Sequence, residues 1–254
     1  MRYFLRLSYD GSAYHGWQRQ PNAMSVQQVI EESLQTVLRR PVAITGAGRT
    51  DTGVNARVMY AHFDVESPIS DRSRLLTSLN RLCGRSVSIH DILDVRDDAH
   101  ARFDASLRSY KYFVINQESP FNNRFSWYCP AMLDITMMNK ACEILCATSD
   151  FTSFAKLHSD AKTNICNVSE ASWTPYRYNT GERGWVFTIS ADRFLRNMVR
   201  AIVGTLVEVG RGKLDINGFI RVIEQKDRCA AGTSMPASPL FLWDVKYPED
   251  IFIK

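Results

Sequence analysis

Three groups of side chains in this 254-residue chain have types and spacings that could carry chemistry. The first is Arg193-Phe-Leu-Arg196-Asn-Met-Val-Arg200. On a helix the three arginines fall within about 60° of one another, with Leu195, Val199, Ile202 and Leu206 roughly opposite. Such a row offers bidentate donors that cannot be deprotonated, suited to phosphates or to orienting a carboxylate. Without such a partner it is a solvated face. The second group is the glycine-rich stretch Gly46-Ala-Gly-Arg-Thr-Asp51-Thr-Gly53. Glycines permit tight turns and close backbone approach, so the Asp51 carboxylate could be held at a concave surface with Arg49 beside it. A lone Asp in such a loop is ordinarily a turn or cap residue, so the loop by itself is a weak signal. The third is Tyr110-Lys-Tyr112-Phe113 with Arg108. Aromatic side chains on a sheet with basic neighbours stack unpaired bases in many RNA-binding modules, and alternating aromatics on a strand also build cores.

Several common chemistries find no support. The loop lacks the third glycine of a dinucleotide fingerprint, and no phosphate-cradling GxxxxGK[ST], GxSxG elbow or HExxH helix occurs. Ser153-Phe-Ala-Lys156 and Lys162-Thr-Asn164 imitate an acylating-serine enzyme. They lie too close together, and Ser159-Asp-Ala161 lacks the amide that such enzymes use. The six cysteines form no CxxC pair and no histidine stands at ligand spacing to them, so a structural zinc site is not expected. Their scatter suits a reducing, cytoplasmic setting.

These groups need elements to position them. Residues 2–9 read as a strand rather than a signal peptide, and Ser25 with Gln28 forms a capping box for a helix reaching Pro41. Short strands at 42–45 and 60–65 flank the glycine-rich loop. A helix through Leu75, Leu76, Leu79 and Leu82 leads to an extended segment at 86–95. The order β-α-β-β-α-β is the ferredoxin-like one. The second half repeats it: strands at 107–116, 164–174, 185–191 and 240–247, helices at 134–147, about 193–209 and 215–225, one helix being extra. The reading is an α+β chain of two tandem ferredoxin-like halves, 1–105 with the glycine-rich loop and 106–254 with Tyr110 and the arginine helix. Their strands form a mixed, mainly antiparallel sheet. Apolar residues at 45% and charged residues at 23% exclude disorder, and the apolar runs are too short to span a bilayer. Net charge is +4, with 13 basic against 12 acidic residues in 1–105 and 18 against 15 in 106–254, so a nucleic-acid surface must be a local patch.

Read in order, Tyr9-Asp-Gly-Ser-Ala-Tyr-His-Gly-Trp-Gln-Arg-Gln20, Ala47-Gly-Arg-Thr-Asp51-Thr-Gly-Val54, His100-Ala-Arg-Phe-Asp-Ala105, Arg108-Ser-Tyr110-Lys-Tyr112, Asp150-Phe-Thr-Ser-Phe154 and Phe194-Leu-Arg-Asn-Met-Val-Arg-Ala-Ile-Val-Gly204 resemble the TruA family of tRNA pseudouridine synthases. The resemblance spans nearly the whole chain. It implies isomerisation of uridine to pseudouridine at positions 38, 39 and 40 of the tRNA anticodon stem-loop. It further implies a homodimer, no cofactor or metal, and two ferredoxin-like halves with a basic cleft. Carried over by position, the catalytic aspartate is Asp51, the base-stacking tyrosine Tyr110, and the arginine partnering the aspartate Arg200. Arg49, Arg193 and Arg196 are the candidates for backbone phosphates. Departures occur: Asn55 stands where the family usually has His, Cys83 follows Leu82 in place of Pro, and the late Gly-Leu motif reads Pro239-Leu240-Phe241.

Forming pseudouridine breaks N1–C1′ and joins C5 to C1′, so a carboxylate could attack C1′ or C6, or assist elimination at the ribose. An adjacent Arg200 would keep it ionised, and Tyr110 would stack on the extruded base and could remove the C5 proton. Two other readings compete: a pseudouridine synthase acting on another RNA, and a non-catalytic RNA-binding protein indifferent to Asp51.

Overall fold

The computed structural model describes residues 1–157 and 162–253. The Ser159-Asp-Ala161 segment lies outside the described residues. The chain is mixed α+β and forms two compact units, Met1–Leu107 with Leu242–Lys254, and Arg108–Phe241. The sequence reading ran the second half to 254, whereas the last thirteen residues belong with the first unit.

In the first unit β1 (Arg2–Tyr9), α1 (Val26–Leu38), β2 (Thr45–Gly46), β3 (Asn55–Asp64), α2 (Arg72–Leu82) and β4 (Val87–Val95) follow in order. The strands pair antiparallel in the order β4-β1-β3-β2. Tyr3, Leu5, Leu7 and Tyr9 of β1 are buried, as their alternation requires. Phe4, on the opposite face, is buried too. Val95, Ala99, Ala101 and Ile251 cover it, with Tyr60, Tyr247 and Phe252 at the edge of the cluster. The returning tail is what makes this strand two-sided: Arg96 N donates to Ile251 O at 3.0 Å and Ile253 N to Asp94 O at 3.0 Å.

Ser25 caps α1, its hydroxyl accepting the Gln28 N–H at 3.2 Å. The reciprocal half of the expected capping box is missing, because the Gln28 amide turns outward and donates to Glu32 Oε1 at 2.9 Å. The strand expected at 42–45 shrinks to Thr45–Gly46: Ile44 N donates to Glu31 Oε1 at 3.1 Å, so a side chain of α1 replaces a ladder partner. Strand β3 starts at Asn55, five residues ahead of the expected one, because its ladder with β1 runs on to Tyr9 opposite Ala56.

The second unit contains β5 (Leu107–Ile115, all but its first residue), β6 (Trp127–Tyr128), α3 (Ile135–Cys146), β7 (Val168–Arg177), β8 (Arg183–Ala191), α4 (Met198–Gly210) and α5 (Ile216–Glu224). The chain passes back to the first unit within β9 (Leu240–Lys246). β8 lies between β5 and β7, antiparallel to both, and β6 adds a short parallel pairing to β5. The β7–β8 turn closes through Gly181 at φ +99°, where a side chain would be strained.

Helix α4 corrects the sequence reading. The pattern predicts a helix from about 193, but the helical backbone begins at Met198, and Arg193 and Arg196 precede it. Asn197 adopts φ +65°, a left-handed conformation that no right-handed helix can run through. Upstream amides take side-chain acceptors instead of helical carbonyls: Arg193 N donates to Asp192 Oδ1 at 2.7 Å and Leu195 N to Met198 Sδ at 3.5 Å. The three arginines therefore do not share one helix face. From Met198 onward α4 is almost wholly buried, so its apolar wrap obeys the pattern even though its start does not. Among the described residues no helix is long and apolar enough to cross a membrane.

Candidate active site

In the first unit the geometry converges on the peptide carrying Asp51. Thr50 is buried and its hydroxyl bonds the Tyr9 phenol at 2.8 Å, which ties the loop to the end of β1. The Thr50 carbonyl accepts the Trp17 N–H at 3.2 Å, Gly53 N donates to Tyr14 O at 3.4 Å, and Val54 N donates to Asp51 O at 3.1 Å. The last of these closes a turn that Gly53 completes at φ +79°.

The 10–20 segment presses on this loop. Gly16 has φ +88°, and a Cβ there would stand 2.5 Å from Thr50 O and 3.2 Å from the Asp51 carbonyl carbon. A Cβ on Gly46 would meet the Trp17 ring at 2.5 Å. The segment is anchored in turn on the start of α1, where Val26 N donates to Gly16 O at 3.2 Å and Gln27 N to Trp17 O at 3.0 Å. Asn55 gives the altered family position a definite job: its Oδ1 accepts the Gly11 N–H at 2.9 Å in a buried bond. Asp51 is half-buried, and Thr52 and Arg49 are exposed. Asp51 is thus carried, half-buried, on a backbone clamped from neighbouring segments.

The second unit places Tyr110 and the Arg193–Arg200 segment together. Tyr110 is half-buried on β5 opposite Ile189, and its ring meets Phe194 edge-on at 5.0 Å between centroids. That contact helps to fix the orientation of the tyrosine ring. Arg193 is half-buried and Arg196 exposed; the Arg196 carbonyl accepts Lys156 N at 3.1 Å. Arg200 sits half-buried in the first turn of α4, with Nε donating to Met235 O at 2.6 Å.

Tyr112 differs from Tyr110 in burial although the two share a strand face. It is fully buried, and its hydroxyl has no hydrogen-bond partner among the described residues. Burial pushes this phenol far up, the Arg200 charge opposing the rise, so Tyr112 stays neutral and acts as core. Ser153, the serine of the acylating imitation, is buried and its Oγ donates to Val222 O at 2.6 Å, a structural bond rather than an activated nucleophile. Among the described residues no three His, Cys, Asp or Glu side chains are grouped to hold a metal ion.

Sequence reasoning missed Tyr9, Gly16 and Trp17 as supports of the Asp51 loop. Their signal was the density of glycine and aromatic residues in 9–17, which entered only as part of a family pattern. It missed 226–239 altogether, because that stretch has no periodicity to read.

Residues 7–104 and 141–248 match the family model described as tRNA pseudouridine synthase. The chain is 56% identical over 251 residues to a tRNA pseudouridine synthase A of Parabacteroides distasonis, covering 99% of this chain and 98% of that one. It is 55% identical to a protein of the same name from Bacteroides thetaiotaomicron, covering 99% and 92%. It is 39% identical over 244 residues to one from Chlorobaculum tepidum, covering 96% of each.

Proposed function

The chain belongs to the tRNA pseudouridine synthase family, an isomerase family, and from that premise we propose that it converts uridine to pseudouridine at positions 38, 39 and 40 of the tRNA anticodon stem-loop. One observation supports the reading: the peptide carrying the half-buried Asp51 is fixed by Tyr9, Gly16 and Trp17 on neighbouring segments.

In this proposal Asp51 is the nucleophile, or the carboxylate that assists elimination. Arg200 supplies a positive charge to partner the Asp51 carboxylate as water leaves the site. Tyr110 stacks on the extruded uracil, offsetting part of the few kcal/mol that base flipping costs. Arg49, Arg193 and Arg196 meet backbone phosphates. No cofactor or metal takes part, and the enzyme acts in the cytoplasm as a homodimer. The two compact units are tandem ferredoxin-like halves offering a basic cleft to RNA. The antiparallel order β4-β1-β3-β2 in the first half, with a helix after β1 and after β3, supports that reading.

The test is to map pseudouridine by chemical adduct formation and reverse transcription in unmodified tRNA transcripts treated with the protein. Stops confined to 38, 39 and 40 are expected. Modification of a ribosomal RNA fragment or of another tRNA arm would refute the site assignment.

A further inference from the structure

The segment after α5 contains an arginine that the proposed chemistry does not use. Arg228 is half-buried, and its Nη1 donates to Ala231 O at 3.4 Å and to Gly232 O at 3.1 Å. Its Nη2 donates to Ser234 Oγ at 2.8 Å. One guanidinium thus closes a loop of seven residues on itself.

The loop in turn is laid along the first two turns of α4. Ser234 Oγ also accepts the side-chain amide of Asn197, the left-handed residue that starts the helix, at 2.6 Å. Gly232 N donates to Thr205 Oγ1 at 2.9 Å, and Gly204 leaves room for the Thr233 carbonyl, which a Cβ would approach to 1.9 Å. Between these fixed points Met235 brackets Arg200: its N–H donates to Arg200 O at 3.1 Å and its carbonyl accepts Arg200 Nε at 2.6 Å. The Nε bond sets the plane of the Arg200 guanidinium, so whatever fixes the Met235 carbonyl aims Arg200. A charged donor to backbone carbonyls is among the stronger bonds available for this.

We propose that Arg228, acting through Ser234 and Met235, is a positioning residue that orients the Arg200 guanidinium for catalysis, with Asn197 holding the other end of the strap. Arg228 itself touches neither substrate nor reacting atoms. The inference rests on the catalytic role given to Arg200 above.

The experiment compares Arg228→Met, Asn197→Gly, the double variant and Arg200→Met in steady-state tritium release from tRNA labelled at uridine C5, with thermal unfolding of each. Asn197→Gly keeps the left-handed backbone at no steric cost and removes only the amide, so it reads the strap if Arg228→Met folds poorly. Arg228→Met is expected to lower kcat about tenfold, the equivalent of one lost, well-aimed interaction, while KM for tRNA stays within about twofold. The double variant should be no slower than the slower single, because both cut one strap. Full kcat in both single variants alongside an inactive Arg200→Met overturns the positioning role alone. An active Arg200→Met overturns the role of Arg200, and the strap's purpose with it. A rise in KM with kcat unchanged would make Arg228 an RNA-binding residue and would equally overturn the proposal.

Discussion

At the scale of single residues, the clamp around Asp51 makes predictions that separate support from chemistry. Removing the Tyr9 hydroxyl leaves Thr50 Oγ1 without its buried partner. Tyr9→Phe should cost about 1 kcal/mol in a denaturant titration and lower kcat, since Asp51 is the next residue along. Gly16→Ala should do more, because a methyl group must enter the space of the Thr50 carbonyl at an unfavourable φ. A loss of about 1–3 kcal/mol is expected in the same titration. Tyr112 should behave in the opposite sense. Its hydroxyl is buried without a partner, so Tyr112→Phe should leave stability unchanged or raise it by up to about 1 kcal/mol. The sequence made Asp51 a candidate through the glycines around it and, more strongly, through the family resemblance. It could not display the grip, which is made of backbone carbonyls and of close approaches to residues more than thirty positions upstream.

At the scale of elements, strand and helix periodicity located β1, β4, β5, α2 and α3 to within a few residues, because alternating or helical burial extends over the whole of each. It failed where one residue decides. Leu195, Val199, Ile202 and Leu206 fit a helix continuously, yet Asn197 at φ +65° cuts it, and no pattern of hydrophobicity reports a single left-handed residue. The consequence reaches the proposed RNA contacts. Arg193 and Arg196 are on an irregular segment, so they can reach phosphates independently instead of as a row along one helix. Neutralising Arg49, Arg193 or Arg196 singly should each lower the slope of log affinity against log salt by about 0.7–0.9, and the effects should add. Unchanged slopes in filter-binding titrations would remove them from the interface. Likewise Ser25→Ala, deleting the α1 cap, should cost about 1 kcal/mol of stability. It should also affect the Asp51 loop, because the first turn of α1 anchors Gly16 and Trp17.

At the scale of the whole molecule, stability should fall in acid through the buried His62, which packs against the half-buried His100. His62 Nδ1 accepts the Ala101 N–H at 3.1 Å, and its ring meets that of His100 at 4.6 Å. Burial, then the Arg2 charge and His100, lower His62 from 6.5 to about 4, with Asp64 and Asp104 opposing. The unfolded chain therefore binds the proton first. The stability that neutral His62 contributes is present above pH 6.5 and is lost as pH falls toward about 4, by an amount of order 2 kcal/mol. His62→Gln should flatten that part of the pH–stability curve; an unchanged curve would assign the loss elsewhere. The proposed dimer should appear as twice the 29.0 kDa chain mass in light scattering. None of these results reaches the central claim, that Asp51 makes this protein a catalyst rather than an RNA carrier. The direct measurement is tritium release from tRNA labelled at uridine C5, run with wild type and Asp51→Ala beside tRNA binding by both. The account predicts release by wild type, none by Asp51→Ala, and tRNA affinities within a few-fold of each other. Release by Asp51→Ala at the wild-type rate would contradict it.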